Sequence, residues 1–164
     1  PKLVVLFQCY RVGTGCPQPQ MNAAERNEYV AGVASIISEL NVSGISVLQI
    51  LDLPAVSPEQ VSPSLLLNNP RVPIQRGAAQ TNAEVARLLG VIAQSSNGRY
   101  QIDEITTGLC AADTCRYVDD KNKPLWLDSD HLSPFGVVDR TESLRSAIEK
   151  ALAQAAKLPT SAGS

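Results

Sequence analysis

Residues 3–7 read Leu-Val-Val-Leu-Phe, an unbroken apolar run near the start of the sequence. A run of this kind is typical of a strand buried on both faces, as strands are in a parallel sheet. Residues 45–51, which read Ile-Ser-Val-Leu-Gln-Ile-Leu, predict a second strand. Between the two runs, Asn22 and Glu25 have the spacing of a capping box and predict the start of a helix. The sequence therefore opens as strand, helix, strand.

The alternation of helices and strands continues through the rest of the chain. Thr81, with an acidic residue three positions later, predicts the start of a second helix, and residues 100–105 predict a third strand. Ser133 followed by Pro134 predicts the start of the last helix. This order predicts an α/β layered fold with a parallel sheet, in which ligands bind beyond the carboxyl ends of the strands.

Length and composition indicate a single globular domain. The chain has 164 residues, of which 44% are hydrophobic and 18% are charged. We expect the domain to span residues 1–158, followed by a polar tail over residues 159–164. The Pro- and Ser-rich stretch 52–73 predicts a long connection without strands. Because Pro1 and Lys2 lead at once into a core strand, we expect the natural domain to begin upstream.

Charge and hydropathy argue against a nucleic-acid partner and against insertion into a membrane. The net charge is −2 and aromatic residues make up 4%, which argues against a nucleic-acid partner. No apolar run is long enough to span a bilayer, so we expect no membrane insertion of this chain.

A flavodoxin-like regulatory domain is a further alternative, although the sequence has no Gly-rich phosphate loop.

The cysteines fall into two close pairs, Cys9 with Cys16 and Cys110 with Cys115. An even number in close pairs predicts two short-loop disulfides, and disulfides would place the protein in the periplasm or another extracytoplasmic compartment. Two alternatives stay open. The cysteines are free thiols, or they form a four-cysteine zinc site, although their spacings are not those of a zinc ribbon.

The candidate chemistry lies in residues 127–136, which read LDSDHLSPFG. They contain His131, the only histidine of the chain, and Asp128 three residues before it. A carboxylate at this spacing can orient the imidazole through one ring nitrogen, which leaves the other nitrogen to act as a general base. The alternative is a loop histidine capped by an acidic turn, because short motifs also occur by chance.

Asp128 and His131, followed by Leu-Ser-x-x-Gly, resemble the final block of SGNH hydrolases. The closest resemblance is to SGNH domains associated with membrane acyltransferases that O-acylate cell-envelope polysaccharides. The runs at 3–7 and 47–54 and the cysteine-bearing segment before Asp128 occur in the order of those domains. The resemblance covers most of residues 3–150. It implies a three-layer, flavodoxin-like parallel sheet.

The resemblance also implies a reaction, namely acyl transfer on an extracytoplasmic glycan by an O-acetyltransferase or esterase. In this mechanism His131 would be the base and Asp128 its orienter, with Arg11 or Gln8 as an oxyanion donor and without a metal or organic cofactor. The Gly-Asp-Ser block that supplies the family's nucleophile does not occur in the 164 residues. We therefore expect a domain that is incomplete at its N-terminus, with the first strand and the serine outside this chain.

The expected partners follow from this hypothesis. They are an acylated glycan or acyl donor, and either the missing N-terminal segment or a membrane acyltransferase domain. The chain alone is expected to be inactive. The alternative is a non-catalytic SGNH-like module that binds a glycan or a protein partner.

Overall fold

The computed structural model describes residues 2–7, 22–51, 53–57, 71–75, 78–111, 113–129 and 131–159. The described elements are, in chain order, β1 (Lys2–Phe7), α1 (Ala23–Val42), β2 (Ile45–Ile50), β3 (Arg71–Pro73), α2 (Ala78–Ser95), β4 (Tyr100–Asp103), β5 (Cys110–Ala111), β6 (Thr114–Arg116) and α3 (Pro134–Ala155).

The main sheet is parallel, with strand order β1-β2-β4. Val4 of β1 pairs with Val47 of β2, and Val47 pairs in turn with Tyr100 of β4. The three predicted strands are therefore parallel neighbours, and the predicted α/β class is confirmed. The third strand is shorter than predicted, because the chain turns after Asp103.

Helices cover both faces of this sheet because β2 is apolar on both faces. Val47 and Leu51 pack into a cluster with residues of α1 and α2, such as Ile37. The alternate residues Leu48 and Ile50 pack with α3 on the opposite face. Successive side chains of a strand point to opposite faces. Because β2 presents buried apolar side chains to both faces, a helix layer is needed on each side, and the result is three layers.

One polar side chain is buried in the central strand. Gln49 is 0% exposed, and its amide nitrogen donates to the hydroxyl of Tyr29 on α1 at 3.0 Å. Tyr100 on β4, which is 1% exposed, donates its hydroxyl to the Gln49 carbonyl oxygen. Burial raises the pKa of Tyr100, so its hydroxyl stays protonated and able to donate. A buried polar group needs such partners, because leaving one unsatisfied costs about 1–3 kcal/mol.

Helix α3 runs antiparallel to the strands. Near its start, the Arg140 guanidinium donates to the carbonyl of Thr107, in the turn that follows β4, at 2.7 Å. Near its end, Gln154 packs against Gly98, in the turn that precedes β4. The N-terminus of α3 therefore lies at the carboxyl ends of the strands, which is the edge where α/β folds bind ligands.

A second, antiparallel sheet has the order β3-β6-β5. Arg71 to Pro73 form β3, so the prediction of a strand-free connection through residue 73 is wrong at its end. The strand is only three residues long and its partner β6 follows more than forty residues later, so no local pattern announces it. Pro73 sits at the end of an edge strand, where a missing N–H is tolerated.

The helix starts are largely as predicted. Asn22 and Glu25 form a reciprocal capping box, with hydrogen bonds of 2.7 and 3.0 Å. Ser133 caps α3 by accepting from the backbone N–H of Gly136 at 3.1 Å. Helix α2, however, begins at Ala78 rather than at Thr81, because the Ala-Ala-Gln segment before Thr81 has high helix propensity and extends the helix.

Gly136 packs unusually closely in the first turn of α3. A Cβ atom built there would lie 2.1 Å from the carbonyl oxygen of Leu125, which is backbone and cannot swing away. We expect Gly136→Ala to lower the free energy of unfolding by roughly 1–3 kcal/mol, as overpacking does. Gly90→Ala, in the middle of α2 with nothing within 4 Å of its added Cβ, should instead raise it by roughly 0.5–1 kcal/mol. Urea unfolding measures both variants, and equal shifts of one sign would contradict the packing argument.

The predicted disulfide between Cys110 and Cys115 is present and joins the paired strands β5 and β6. It closes a loop with a sequence separation of 5. Loop-closure entropy predicts a stabilisation of about 2 kcal/mol for a loop of this size. We expect the Cys110→Ala/Cys115→Ala double variant to lose about that much in urea unfolding, and a double variant as stable as the parent would refute the structural role of this disulfide.

Candidate active site

The only histidine lies in the loop between β6 and α3, where it contacts an aspartate. The Nδ1 atom of His131 lies 2.9 Å from Oδ2 and 3.0 Å from Oδ1 of Asp128. Since an ionised carboxylate only accepts hydrogen bonds, this contact favours the tautomer that carries hydrogen on Nδ1. The remaining ring nitrogen, Nε2, is then the basic atom of the imidazole.

Asp128 holds the loop as well as the ring. Its Oδ1 atom accepts a second hydrogen bond, at 2.8 Å, from the backbone N–H of His131. The same carboxylate therefore sets both the backbone turn and the direction of the imidazole. The expected Asp-to-His contact is present, and the alternative of a histidine capped by an acidic turn describes part of the same geometry. The catalytic role of the pair stays a prediction.

The two ends of the loop pair with each other in a short antiparallel segment, here called the loop base, formed by residues 125–127 and 131–133. Trp126 and Leu132 form an isolated antiparallel bridge. Next to it, the N–H of Leu127 donates to the carbonyl of His131 at 2.9 Å. The N–H of Ser133 donates to the carbonyl of Leu125, also at 2.9 Å. Three consecutive pairings thus bring the two ends of the loop together directly below the Asp128–His131 pair.

Helix α3 begins where this base ends. The hydroxyl of Ser133 accepts from the N–H of Gly136 and donates to the carbonyl of Pro124. Gly136 is buried and admits the backbone of Leu125 where any larger residue would collide with it. These contacts explain the residues of the Leu-Ser-x-x-Gly segment. The serine joins the helix to the loop base, and the glycine allows the helix to pack against that base.

The loop is also tied to the chain that follows β2. The N–H of Val56, six residues after the strand ends, donates to the carbonyl of Ser129 at 2.6 Å. Val56 is itself buried in the cluster beneath the second sheet. This tether and the start of α3 both place the Asp128–His131 loop on the carboxyl side of the parallel sheet. The sequence analysis did not predict this tether, which involves only backbone atoms.

The turn before the loop is stabilised by the Asp119 carboxylate, which accepts hydrogen bonds from backbone N–H groups of the turn. One carboxylate oxygen of Asp119 accepts from the backbone N–H groups of Lys123 and Lys121, both at 2.8 Å. The bond from Lys123, followed by the bond from Lys121, lowers the pKa of Asp119. A hairpin surrounds residues 120–122, with Val118 bridging Pro124. It leads directly into the segment that forms the loop base.

Other predicted site residues lie outside the described residues. They are the oxyanion candidates Gln8 and Arg11 and the pair Cys9 and Cys16. Within the described ranges, no group of three or more His, Cys, Asp or Glu side chains is arranged to hold a metal ion. The Cys110–Cys115 disulfide also removes both of those sulfurs from any zinc site.

None of the helices in the described part of the chain is both long and apolar enough to cross a membrane. The Cys110–Cys115 disulfide fits an oxidising compartment, where such bonds persist.

Comparison with known proteins identifies the family. No curated protein and no solved structure matches the chain significantly. The family model described as "SGNH domain (fused to AT3 domains)" matches residues 1–138, which is most of the 164-residue chain. This family indicates a function of the acyl-transfer or hydrolase type. On this match and the three-layer α/β fold, the chain belongs to the family of SGNH domains that are fused to AT3 domains.

Proposed function

We propose that the chain carries the acid–base part of a serine-dependent acyl-transfer site that acts on an extracytoplasmic glycan. His131 is the general base and general acid, and Asp128 orients it. The observation that supports this most directly is the contact of His131 Nδ1 with both oxygens of the Asp128 carboxylate, at 2.9 and 3.0 Å. The family match supports the acyl-transfer class independently.

The proposed steps use His131 twice. As the serine oxygen attacks the acyl carbonyl carbon, its proton passes to Nε2 of His131. The imidazolium returns the proton to the leaving oxygen, which departs and leaves the acyl group on the serine. A glycan hydroxyl or water then attacks the acyl-enzyme and gives its proton to Nε2, and the restored imidazolium reprotonates the serine. Transfer and hydrolysis differ only in the attacking hydroxyl.

Asp128 contributes in two ways. Its carboxylate keeps hydrogen on Nδ1, so that Nε2 faces the reaction as an acceptor, and its negative charge stabilises the imidazolium once it forms. The side chains of Asp128 and His131 are 50% and 60% exposed. A glycan hydroxyl and an acyl donor can therefore reach the pair without any opening motion.

The remaining parts of the site are proposed from sequence. Because no Gly-Asp-Ser occurs in the 164 residues, we propose that the serine comes from sequence outside them. Arg11 or Gln8 would donate to the oxyanion, and no cofactor takes part in the proposed steps. The proposed partners are the acyl donor or acylated glycan and either the segment that carries the serine or a membrane acyltransferase domain.

A second candidate is a non-catalytic module that binds a glycan or a protein partner. The absence of Gly-Asp-Ser from the sequence favours it. The two candidates differ in what the Asp128–His131 pair does, since a binding module has no need of a defined imidazole tautomer. The first experiment below measures the tautomer, and the second measures the reaction.

Replacing Asp128 by Ala should change the tautomer of His131. The wild-type ring should carry its hydrogen on Nδ1, where the carboxylate accepts it, and loss of the acceptor should move the hydrogen to Nε2. Ring ¹⁵N chemical shifts above neutral pH report this directly, and assignment is unambiguous because the chain has one histidine. Glu142→Gln is the matched control, since it removes one carboxylate from an exposed position on α3. Unchanged ring shifts in Asp128→Ala would rule out an orienting role.

The reaction is tested on a completed domain, made by adding the upstream segment of the same gene that carries a Gly-Asp-Ser. We expect it to hydrolyse a simple aryl acetate, whereas the 164-residue chain alone should not. His131→Ala should lower kcat by about 10³-fold or more, because triad members act as a unit. Glu142→Gln should retain the activity of the completed domain. Wild-type kcat in His131→Ala, or full activity of the 164-residue chain, would contradict the proposal.

A further inference from the structure

The hydrogen bonds within the Asp128–His131 pair of the proposed function do not by themselves fix where the pair lies in the molecule. Asp128 and His131 are half-exposed or more, at 50% and 60%. Contacts between exposed charged groups contribute little to stability, because water competes for both partners. Such contacts orient the imidazole within the loop but do not fix the place of the loop on the molecule. The position of the pair therefore also depends on the segments that join the loop to the second sheet and to α3.

Trp126 is one of the side chains that anchor the first end of the loop. Trp126 stands immediately before the loop, is 3% exposed, and pairs through its backbone with Leu132 at the other end. Its ring packs in the cluster beneath the second sheet, together with Val72 of β3 and Cys115 of β6. Leu132 packs against the same cluster but is only partly buried.

The indole of Trp126 also makes one directional contact. Its Nε1–H donates to the backbone carbonyl of Arg116, the last residue of β6, at 2.8 Å. A hydrogen bond to a strand carbonyl adds a directional constraint on the ring to the constraint that packing supplies. Arg116 is itself held, since its guanidinium lies 3.6 Å from Asp139 on α3. The base of the loop is thus tied to both β6 and α3.

We propose that Trp126 is a positioning residue for His131, and that it acts through the hydrogen bond from its indole N–H to the Arg116 carbonyl. That bond sets the direction in which Leu127 and Asp128 leave the second sheet, and so the place of the carboxylate against Nδ1 of His131. The inference rests on the proposed function for its kinetic readout only. Its tautomer readout needs no catalytic activity.

The test is Trp126→Phe, which keeps an aromatic ring and removes the N–H. The control is Tyr100→Phe, which also removes one buried donor from an aromatic ring, in the cluster on the other side of the molecule. Both variants should lower the melting temperature. Only Trp126→Phe should reduce the fraction of His131 with hydrogen on Nδ1, as measured by ring ¹⁵N shifts of the 164-residue chain.

In the completed domain, Trp126→Phe should lower kcat for an aryl acetate by roughly tenfold and leave KM within about twofold, because the base is displaced while the binding surface stays. Tyr100→Phe should leave both constants unchanged. If the completed domain is inactive, the proposed function fails, and the tautomer measurement still decides the role of Trp126.

A second variant tests the same hydrogen bond and keeps the proposal falsifiable if Trp126→Phe does not fold. Because Trp126 is the only tryptophan, biosynthetic incorporation of 3-benzothienyl-alanine replaces it alone, with nearly the same shape and sulfur in place of the N–H. The same loss of the Nδ1 tautomer in this protein would support the hydrogen bond as the cause. A wild-type tautomer fraction in the analogue-labelled protein, or an equal change in Tyr100→Phe, would overturn the proposal.

Discussion

The burial of β2 on both faces is the constraint on which the rest of the structure depends. A strand that buries apolar side chains on both faces must be covered on both sides, here by α1 and α2 on one side and by α3 on the other. Parallel neighbours then require that the chain return across the sheet after each strand. Every segment that follows a strand consequently emerges at the same edge, and that edge holds the Asp128–His131 loop.

The two sheets serve different purposes. The parallel sheet supplies the edge and directs α3 so that its N-terminus arrives there, as the contact between Arg140 and Thr107 shows. The small antiparallel sheet, closed by the Cys110–Cys115 disulfide, supports the loop from below through Trp126 and its cluster. The exposed Asp128–His131 pair benefits from this second support, because contacts between exposed groups contribute little energy to holding their geometry.

The start of α3 shows how closely local and tertiary requirements are combined. Ser133 caps the helix and also bonds the carbonyl of Pro124, so that one hydroxyl joins the helix to the loop base. Gly136 has poor helix propensity, yet a side chain in its place would strike Leu125. A residue that weakens the isolated helix is here the one that allows the helix to approach the site.

The sequence by itself determined the features that depend on neighbours along the chain. These are the order of the three parallel strands and the helices, the capping of α1 and α3, the Cys110–Cys115 pair, and the spacing that lets Asp128 reach His131. Each involves partners only a few residues apart, so residue type and spacing suffice to predict it.

Only the tertiary structure decided the rest. The pairing of β3 with β6, the bond from Val56 to Ser129, and the bond from Trp126 to Arg116 join residues that no local pattern relates. In each of them at least one partner is a backbone group, which nearly every residue possesses, so side-chain identity does not reveal the pairing. The close packing of Gly136 against Leu125 is also visible only in the tertiary structure. From the sequence alone, a glycine in the first turn predicts only a less stable helix.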